Sequence, residues 1–520
     1  MMKSTAKRLL AKTSTRGLLC GLVCSVSLGT LFAAPTYVSA ATVTPVSELS
    51  ADAAAQDVRI LKASLLALHP ALTKYRTQAE VDEAFARFEQ RGKAARTSSM
   101  MYLAATELAA AIRCGHTWTN VLNQSGGSKA ALLEIANKLP FTMTLVEDRW
   151  LVLASAVPSI KAGDEIVAVN GIKAHDMVQM MLPYLRADGS SDGKRLRQLG
   201  HDRNDFSQMD IVWPLLSPPQ AGHYDLQIRR SVKAKDQVLT IREKAITIAA
   251  RSKIVERHAL PKTDETWRLK IENQVAYLYL PTFSFWNSKF DWNQFIDQSF
   301  ATMQEKHVTH LVIDIRDNEG GDGAIGGKLL SHLVKKPFPF VSDQAVTNYE
   351  RVPYKLARYL DTWDYSFFDR TGKVEKIMEG TAKGKYLVTA RAGVVQTIEP
   401  VAKPFEGKVF LLVSAENSSA TFQLAKLTQE SGAATLVGQP TGGNQRGLNG
   451  GELTWVNLPN SGVAVDIPLL ATRYTETTPD ASVTPDIQIK RTFAARQAGR
   501  DLEMEAVNAI IRQASAGSNP

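Results

Sequence analysis

Apolar positions recur at helical spacing through residues 45–112: Val58, Leu61, Leu65, Leu66 and Leu68, then Val81, Phe85 and Phe88, then Met101, Leu103, Leu108 and Ile112. Few breakers interrupt them, so this stretch predicts a small helical unit. It ends at Arg113-Cys114-Gly115-His116-Thr117-Trp118, where glycine stops the helix and the chain runs into a strand. From Leu139 to about Ile248 the period shortens. Phe141–Val146, Trp150–Ala154 and Asp164–Val169 alternate or run apolar, Asn170-Gly171 is a tight-turn signal, and strands resume at Tyr224–Arg229 and Val238–Ile241. Residues 183–222, rich in Arg, Asp and Gly with Pro214, Pro218 and Pro219, read as an insertion in this β-rich module. Beyond residue 251 strand and helix patterns alternate. Val275–Leu280, Leu311–Ile315, Val409–Val413 and Thr435–Val437 are strand-like, and 288–306, 324–334 and 419–431 are helix-like, which argues for an α/β layer architecture. Residues 344–400 are irregular and aromatic, a lid or a decorated loop.

The chain has 520 residues, too many for one hydrophobic core, so a multidomain α/β protein is expected. The expected parts are a signal peptide over 1–40, a helical domain over 41–138, the β-rich module over 139–250 and an α/β core over 251–515. In the first part Lys3, Lys7, Arg8, Lys12 and Arg16 precede the apolar stretch Gly17–Ala34, and Val38-Ser39-Ala40 supplies a small-residue cleavage site. A retained membrane anchor is the alternative, on a span that is short and interrupted by Ser25, Ser27 and Thr30. Cleavage after Ala40 would remove five basic residues and no acid, taking the formal charge from +9 to +4. The basic excess is then partly an address label, and no nucleic-acid partner and no stable membrane insertion after cleavage are expected. Cys20 and Cys24 leave with the peptide, so Cys114 remains alone and no disulfide can form within the mature chain.

Chemistry concentrates where the apolar run Val409–Val413 ends. Ser418-Ser419 opens a helix carrying Phe422, Leu424, Ala425 and Leu427. A serine there lies beside unpaired N–H groups at the positive end of the helix dipole, where it can act as a nucleophile with oxyanion donors nearby; the plainer reading is that it only caps the helix. A second strand, Leu311–Ile315, runs into Arg316-Asp317-Asn318-Glu319-Gly320-Gly321, whose glycines suit close backbone approach to an anion. Gly321-Asp322-Gly323-Ala324-Ile325-Gly326 also matches a dinucleotide fingerprint, with Asp343 near the distance of a ribose-binding acid. Asn318-Glu319-Gly320, however, separates it from the strand, and no complete second half of a nucleotide fold follows. The histidines form no HExxH motif, so zinc hydrolysis has no support. Cys114 and His116 lie on one face of an extended segment, where neighbours rarely reach attack geometry.

Taken together, these segments resemble the C-terminal processing and tricorn-type serine peptidases, the tail-specific protease superfamily. Ile313-Asp314-Ile315-Arg316-Asp317-Asn318-Glu319-Gly320-Gly321 is similar to the family's DLR-x-N-x-GG, and Asn417-Ser418-Ser419-Ala420 to its nucleophile segment. Val437-Gly438-Gln439-Pro440-Thr441-Gly442-Gly443 resembles VGE-x-T-x-G, Arg113-Cys114-Gly115-His116-Thr117 resembles L-x-D-G-H-T, and Val483-Thr484-Pro485-Asp486-Ile487 resembles V-x-PDI. Lys161–Gly171 resembles the core of a PDZ domain, a module that takes a peptide along a sheet edge. The resemblance implies a peptidase core of the crotonase-like, ββα-spiral kind, beginning beyond the PDZ-like module. It makes Ser419 the nucleophile. Processing peptidases pair that serine with a lysine where this chain has Asn444, so the resemblance points instead to the tricorn-type branch, with His116 as general base. That branch carries an acid before V-x-PDI; Pro479 occupies the expected position, leaving Asp480, or else Glu476.

The implied reaction is amide hydrolysis through an acyl-enzyme, with Gly320, Gly321 and Ala420 N–H groups holding the oxyanion and a peptide or protein as substrate. No metal or organic cofactor is required, and the expected location is periplasmic or secreted. Two other readings are a non-catalytic peptide- or ligand-binding protein on a peptidase scaffold, motivated by the missing lysine and displaced acid, and a small-molecule ester or amide hydrolase with the same Ser–His pair.

Overall fold

The run Lys408–Val413 is apolar on both faces because both faces are covered. In the computed structural model, which describes residues 48–202, 206–232, 235–255, 267–286 and 288–516, this run lies near the middle of a six-stranded sheet. The signal peptide expected over 1–40 lies outside the described residues. The sheet order is Ile487–Gln488, Thr435–Gly438, Lys408–Val413, His310–Asp314, Val275–Tyr279 and Arg268–Glu272, parallel throughout except for the final hairpin. Register assigns the two faces. Leu411 stands opposite Ile313 and Leu436, and all three enter the core under the helices Trp292–Glu305, Gly323–Ser331 and Ala420–Ser431. Phe410, Leu412, Val312 and Val437 point the other way, onto Val507 and Ile511 of the helix Leu502–Ala516. Complete burial of a leucine such as Leu411 is worth about 1.5–3 kcal/mol, so the alternating contacts fix the strand between two layers.

The helical unit forms as Ala51–Leu68, Gln78–Lys93 and Ser98–Ala111. Thr77 and Glu80 close a reciprocal capping box on the second helix. Leu66, expected on the apolar stripe, is instead exposed, because the neighbours Leu65 and Leu68 take the buried face. The β-rich module is an antiparallel sheet ordered Phe141–Val146, Arg149–Ser155, Glu165–Val169, His223–Val232 and Lys235–Lys244, with Ile172–Lys173 folded back on the third strand. Asn170 and Gly171 make that hairpin with φ of 50° and 78°. The last two strands run further than the apolar pattern indicates, because Lys235–Lys244 is largely exposed and carries few apolar residues. One hydrophobic core joins the helices, this sheet and the strands Leu453–Asn457 and Ala464–Pro468, and the described residues form one connected unit.

The 183–222 segment is no surface decoration. Tyr184, Leu185, Leu199, Met209, Val212 and Trp213 enter that shared core. The 344–400 segment is more regular than its sequence suggests: Gln344–Thr347, Val374–Lys376 and Tyr386–Ala392 pair in one sheet with Ala471–Thr472, and Val395–Ile398 pairs with Phe338–Val341. No helix among the described residues is long and apolar enough to cross a membrane.

A buried charge cluster locks the insertion to the sheet. Asp210 receives both Arg251 guanidinium ends and lies 2.9 Å from His201 Nε2, while Arg251 reaches Leu139 O. Burial alone would raise the Asp210 carboxyl, but His201 and Arg251 hold it far below the usual carboxylate range. Arg251→Met leaves that carboxylate without its main cation, and denaturant unfolding should register a loss of about 3–5 kcal/mol.

Candidate functional site

Ser419 lies between the Lys408–Val413 strand and the Ala420–Ser431 helix with φ of 53° and ψ of −128°, a conformation costly for a residue with a Cβ. Its side chain makes no cap hydrogen bond, so the capping reading fails for it. Ser418 differs: it is 8 % exposed, and its hydroxyl donates to Glu319 O at 3.1 Å. Ser419 instead lines a cavity of about 790 Å³ with Ala420, Gly321, Leu448, Gly450 and Leu470.

Asn417 holds this turn in its strained shape. Fully buried, it accepts from Ser414 N at 2.7 Å through its side-chain oxygen. Its side-chain nitrogen donates to Ile315 O and Asn318 O at 2.5 and 3.0 Å. Its carbonyl accepts from Gly442 N and Gly443 N at 2.7 and 3.1 Å. One residue, through its side-chain amide and its main-chain carbonyl, thus joins the serine turn, the 315–320 turn and the 441–443 loop. Gly320, at φ of 124°, lies flat on the nucleophile: a Cβ built there would stand 2.8 Å from Ser419 Cβ and 3.1 Å from Ala420 N. Gly320 N–H, expected in the oxyanion role, donates to Asn318 Oδ1 at 2.9 Å and so is engaged within its own turn. Gly321, at φ of 141°, packs against the Phe283 backbone and lines the cavity.

The dinucleotide reading meets two obstacles here. The Phe283 backbone fills the space against Gly321, and Asp322 caps the following helix by accepting from Ala324 N, placing a carboxylate where a pyrophosphate would need to sit.

His116 is held behind the cavity wall by a well-anchored segment. Trp118 pairs with Asp466 in a backbone bridge and receives the Arg186 guanidinium 3.9 Å over its ring, and Thr117 Oγ1 lies 2.7 Å from His69 Nε2. The imidazole rests against Gly450, which lines the cavity together with Ser419. Burial lowers the His116 pKa below its ordinary 6.5; Arg186 and Lys194 lower it further, while Asp188 and Glu319 oppose them. Its Nδ1 is buried with no hydrogen-bond partner.

No hydrogen bond joins Asp480 to that imidazole. Its Oδ1 accepts from Ser190 N at 2.9 Å and Asn444 Nδ2 at 2.6 Å, and Asn444 Nδ2 also reaches Asp188 O. Asp480 therefore braces the 188–190 turn, and Asn444 stands as a buried connector where processing peptidases carry lysine. Glu476 is exposed. Cys114 is buried, and burial first of all pushes its thiol pKa up, which disfavours a thiolate nucleophile. Among the described residues no group of three His, Cys, Asp or Glu side chains could hold a metal ion.

The acid nearest the imidazole segment comes from the insertion. Asp188 Oδ1 accepts from Gly115 N at 2.8 Å, and an added Cβ on Gly115 would meet Asp188 Oδ2 at 2.5 Å. Lys194, 4 % exposed, bonds Glu319 and Glu416 at 2.9 and 3.2 Å. A glycine- and serine-rich run around Asp188 carries no periodicity to show that it turns inward. Its one signal is a dense set of charges flanked by apolar Leu182, Leu185 and Leu199.

An α/β sheet that presents a strained, uncapped serine beside a glycine turn and a buried histidine has the parts of a serine hydrolase. Residues 274–489 match the sequence profile of Peptidase family S41, so this part of the chain is similar to the tail-specific proteases. Two solved structures share the fold. "Structure of mature CPAF complexed with lactacystin" is 14 % identical with a TM-score of 0.57, covering 88 % of this chain and 97 % of that one. "Crystal Structure of mature CPAF" is 15 % identical with a TM-score of 0.56, covering 90 % and 99 %. No curated protein matches the chain.

Asn417→Ala deletes one acceptor and two donor bonds at buried backbone groups. Thermal or denaturant unfolding should show a loss of about 2–4 kcal/mol, as expected when buried polar groups lose their partners.

Proposed function

We propose that the chain is an exported serine peptidase that hydrolyses peptide bonds through an acyl-enzyme, with Ser419 as nucleophile and His116 as general base. The observation that carries this reading is a shared cavity wall: Ser419 lines it uncapped, and Gly450, which lines it too, supports the His116 ring. Ser419 Oγ attacks the substrate carbonyl carbon as His116 Nε2 takes its proton. The oxyanion is held by Ala420 N–H at the helix start and by Gly321 N–H, since Gly320 N–H is engaged by Asn318. His116 then gives its proton to the leaving amine, and water attacks the ester by the reverse route. A lowered imidazole pKa keeps the base neutral near pH 7. Asp188, whose charge favours the imidazolium, holds the histidine segment through Gly115 N–H rather than through the ring.

The sheet spanning Phe141–Lys244 is proposed as a PDZ-like module that holds part of a polypeptide substrate, and the basic, apolar start of the chain as its export signal. A second reading, a binder without turnover, draws on the unpartnered His116 Nδ1, because a base with no orienting acid is poorly placed.

A fluorophosphonate probe separates the two readings. The wild type should label at Ser419, Ser419→Ala should not label, and His116→Ala should label about a thousandfold more slowly. An unlabelled wild type, or label on another residue, would sink the peptidase reading. The pH profile gives a second check. Activity requires neutral imidazole, so it falls as pH drops through the His116 pKa, and the acid limb of kcat/KM should have its midpoint below 6.5. A midpoint above that value would remove His116 from the role.

A further inference from the structure

We infer that Gly450 and Lys74 are positioning residues that seat the His116 ring, an inference resting on the reading of His116 as general base. Gly450 does not need to be glycine for its backbone, since its φ lies outside the left-handed region, unlike Gly451 at 90°. What excludes a side chain is the imidazole. A Cβ on Gly450 would stand 2.9 Å from His116 Nε2 and 3.1 Å from both Cδ2 and Cε1. These near-equal distances put the glycine directly over the proton-accepting end of the ring, closer than real Cβ contacts allow. A methyl group there must displace the ring or the loop, and a shift of about 1 Å at a reacting group can cost on the order of a hundredfold in rate.

The loop that presents Gly450 is tied down by a residue more than 370 positions upstream. Lys74, 4 % exposed, follows the first helix and sends its Nζ to Gly447 O and Asn449 Oδ1 at 2.8 Å each and to Thr472 O at 3.3 Å. Tyr75 and Tyr474 lie on either side of the ammonium, 5.6 and 5.7 Å from their ring centroids. Asn449 in turn contacts Cys114 Sγ at 3.5 Å, two residues before His116. Lys74, the 447–450 loop and the 114–116 segment thus form one continuous support, with Gly450 as its contact point on the ring. Burial lowers the Lys74 pKa to about 8, in keeping with an ammonium held by carbonyl oxygens away from water.

The test measures fluorophosphonate labelling at Ser419, KM for a peptide substrate and melting temperature in the full chain. Gly450→Ala should lower the labelling rate about tenfold or more with KM within about twofold, because the added methyl points at the ring rather than at the substrate. Lys74→Met should lower labelling in the same direction, and Gly127→Ala, where an added Cβ meets nothing within 4 Å, should leave it unchanged. In a His116→Ala background, Gly450→Ala should cost no further rate and no further stability, because the ring it collides with is gone. A folded Gly450→Ala labelling within about twofold of wild type would overturn the inference. So would equal destabilisation by Gly450→Ala with and without the ring. Should His116→Ala itself label at the wild-type rate, the general-base reading fails first and the positioning role falls with it.

Discussion

A single buried asparagine holds the geometry on which the rest depends. Asn417 bonds backbone groups of the serine turn, the turn after His310–Asp314 and the 441–443 loop, and so fixes the ends of adjacent parallel strands relative to one another. The strain at Ser419 persists because these bonds over-determine the turn. The sheet contributes the other half of the constraint. Its central strands are packed on both faces, so their ends cannot drift, and the glycine turn arrives flat against the serine. Strain at one residue is thereby offset by burial over two layers.

The histidine segment is held by a different set of contacts. Its segment belongs to the core shared by the N-terminal helices and the antiparallel sheet, and it is braced by residues of the 183–222 insertion. Arg186, Asp188 and Lys194 carry buried or half-buried charges, each matched to a partner on the peptidase core or the histidine segment. Such charges are expensive to bury unless paired, so their pairing fixes the register between the insertion and the sheet. The outcome at His116 is a balance in which burial, Arg186 and Lys194 outweigh Asp188 and Glu319, leaving the imidazole pKa below its ordinary value.

Much of this was legible in the sequence, for identifiable reasons. The strand–turn–helix at Val409–Leu427 announces itself because a doubly buried strand must be apolar at consecutive positions and a helix start favours small polar residues. The Asn170-Gly171 hairpin was equally plain. The choice of Ser419 over Ser418 rests on the family motif; in the structure the Ser418 hydroxyl is engaged by Glu319 O. Asp480 was assigned on motif position alone, and a bond to Asn444 and Ser190 took it elsewhere. Gly320 matched a glycine pair whose first N–H turned out to be engaged by Asn318. Asp188, Lys194 and Lys74 could not have been found, since ionic contacts between distant segments leave no periodic trace. The irregular 344–400 stretch hid its strands because short strands walling a cavity alternate poorly between apolar and polar.

The account centres on one proposed pairing, the His116 imidazole with the Ser419 hydroxyl, at the cavity wall that Gly450 shares with Ser419. A crystal structure of the fluorophosphonate adduct measures it directly. The expected result is phosphorus on Ser419 Oγ, its oxygen within hydrogen-bond distance of Ala420 N, and His116 Nε2 about 2.6–3.2 Å from an adduct oxygen. An adduct on Ser419 with the His116 ring turned away from it, or with its oxygen remote from Ala420 N, would contradict the account.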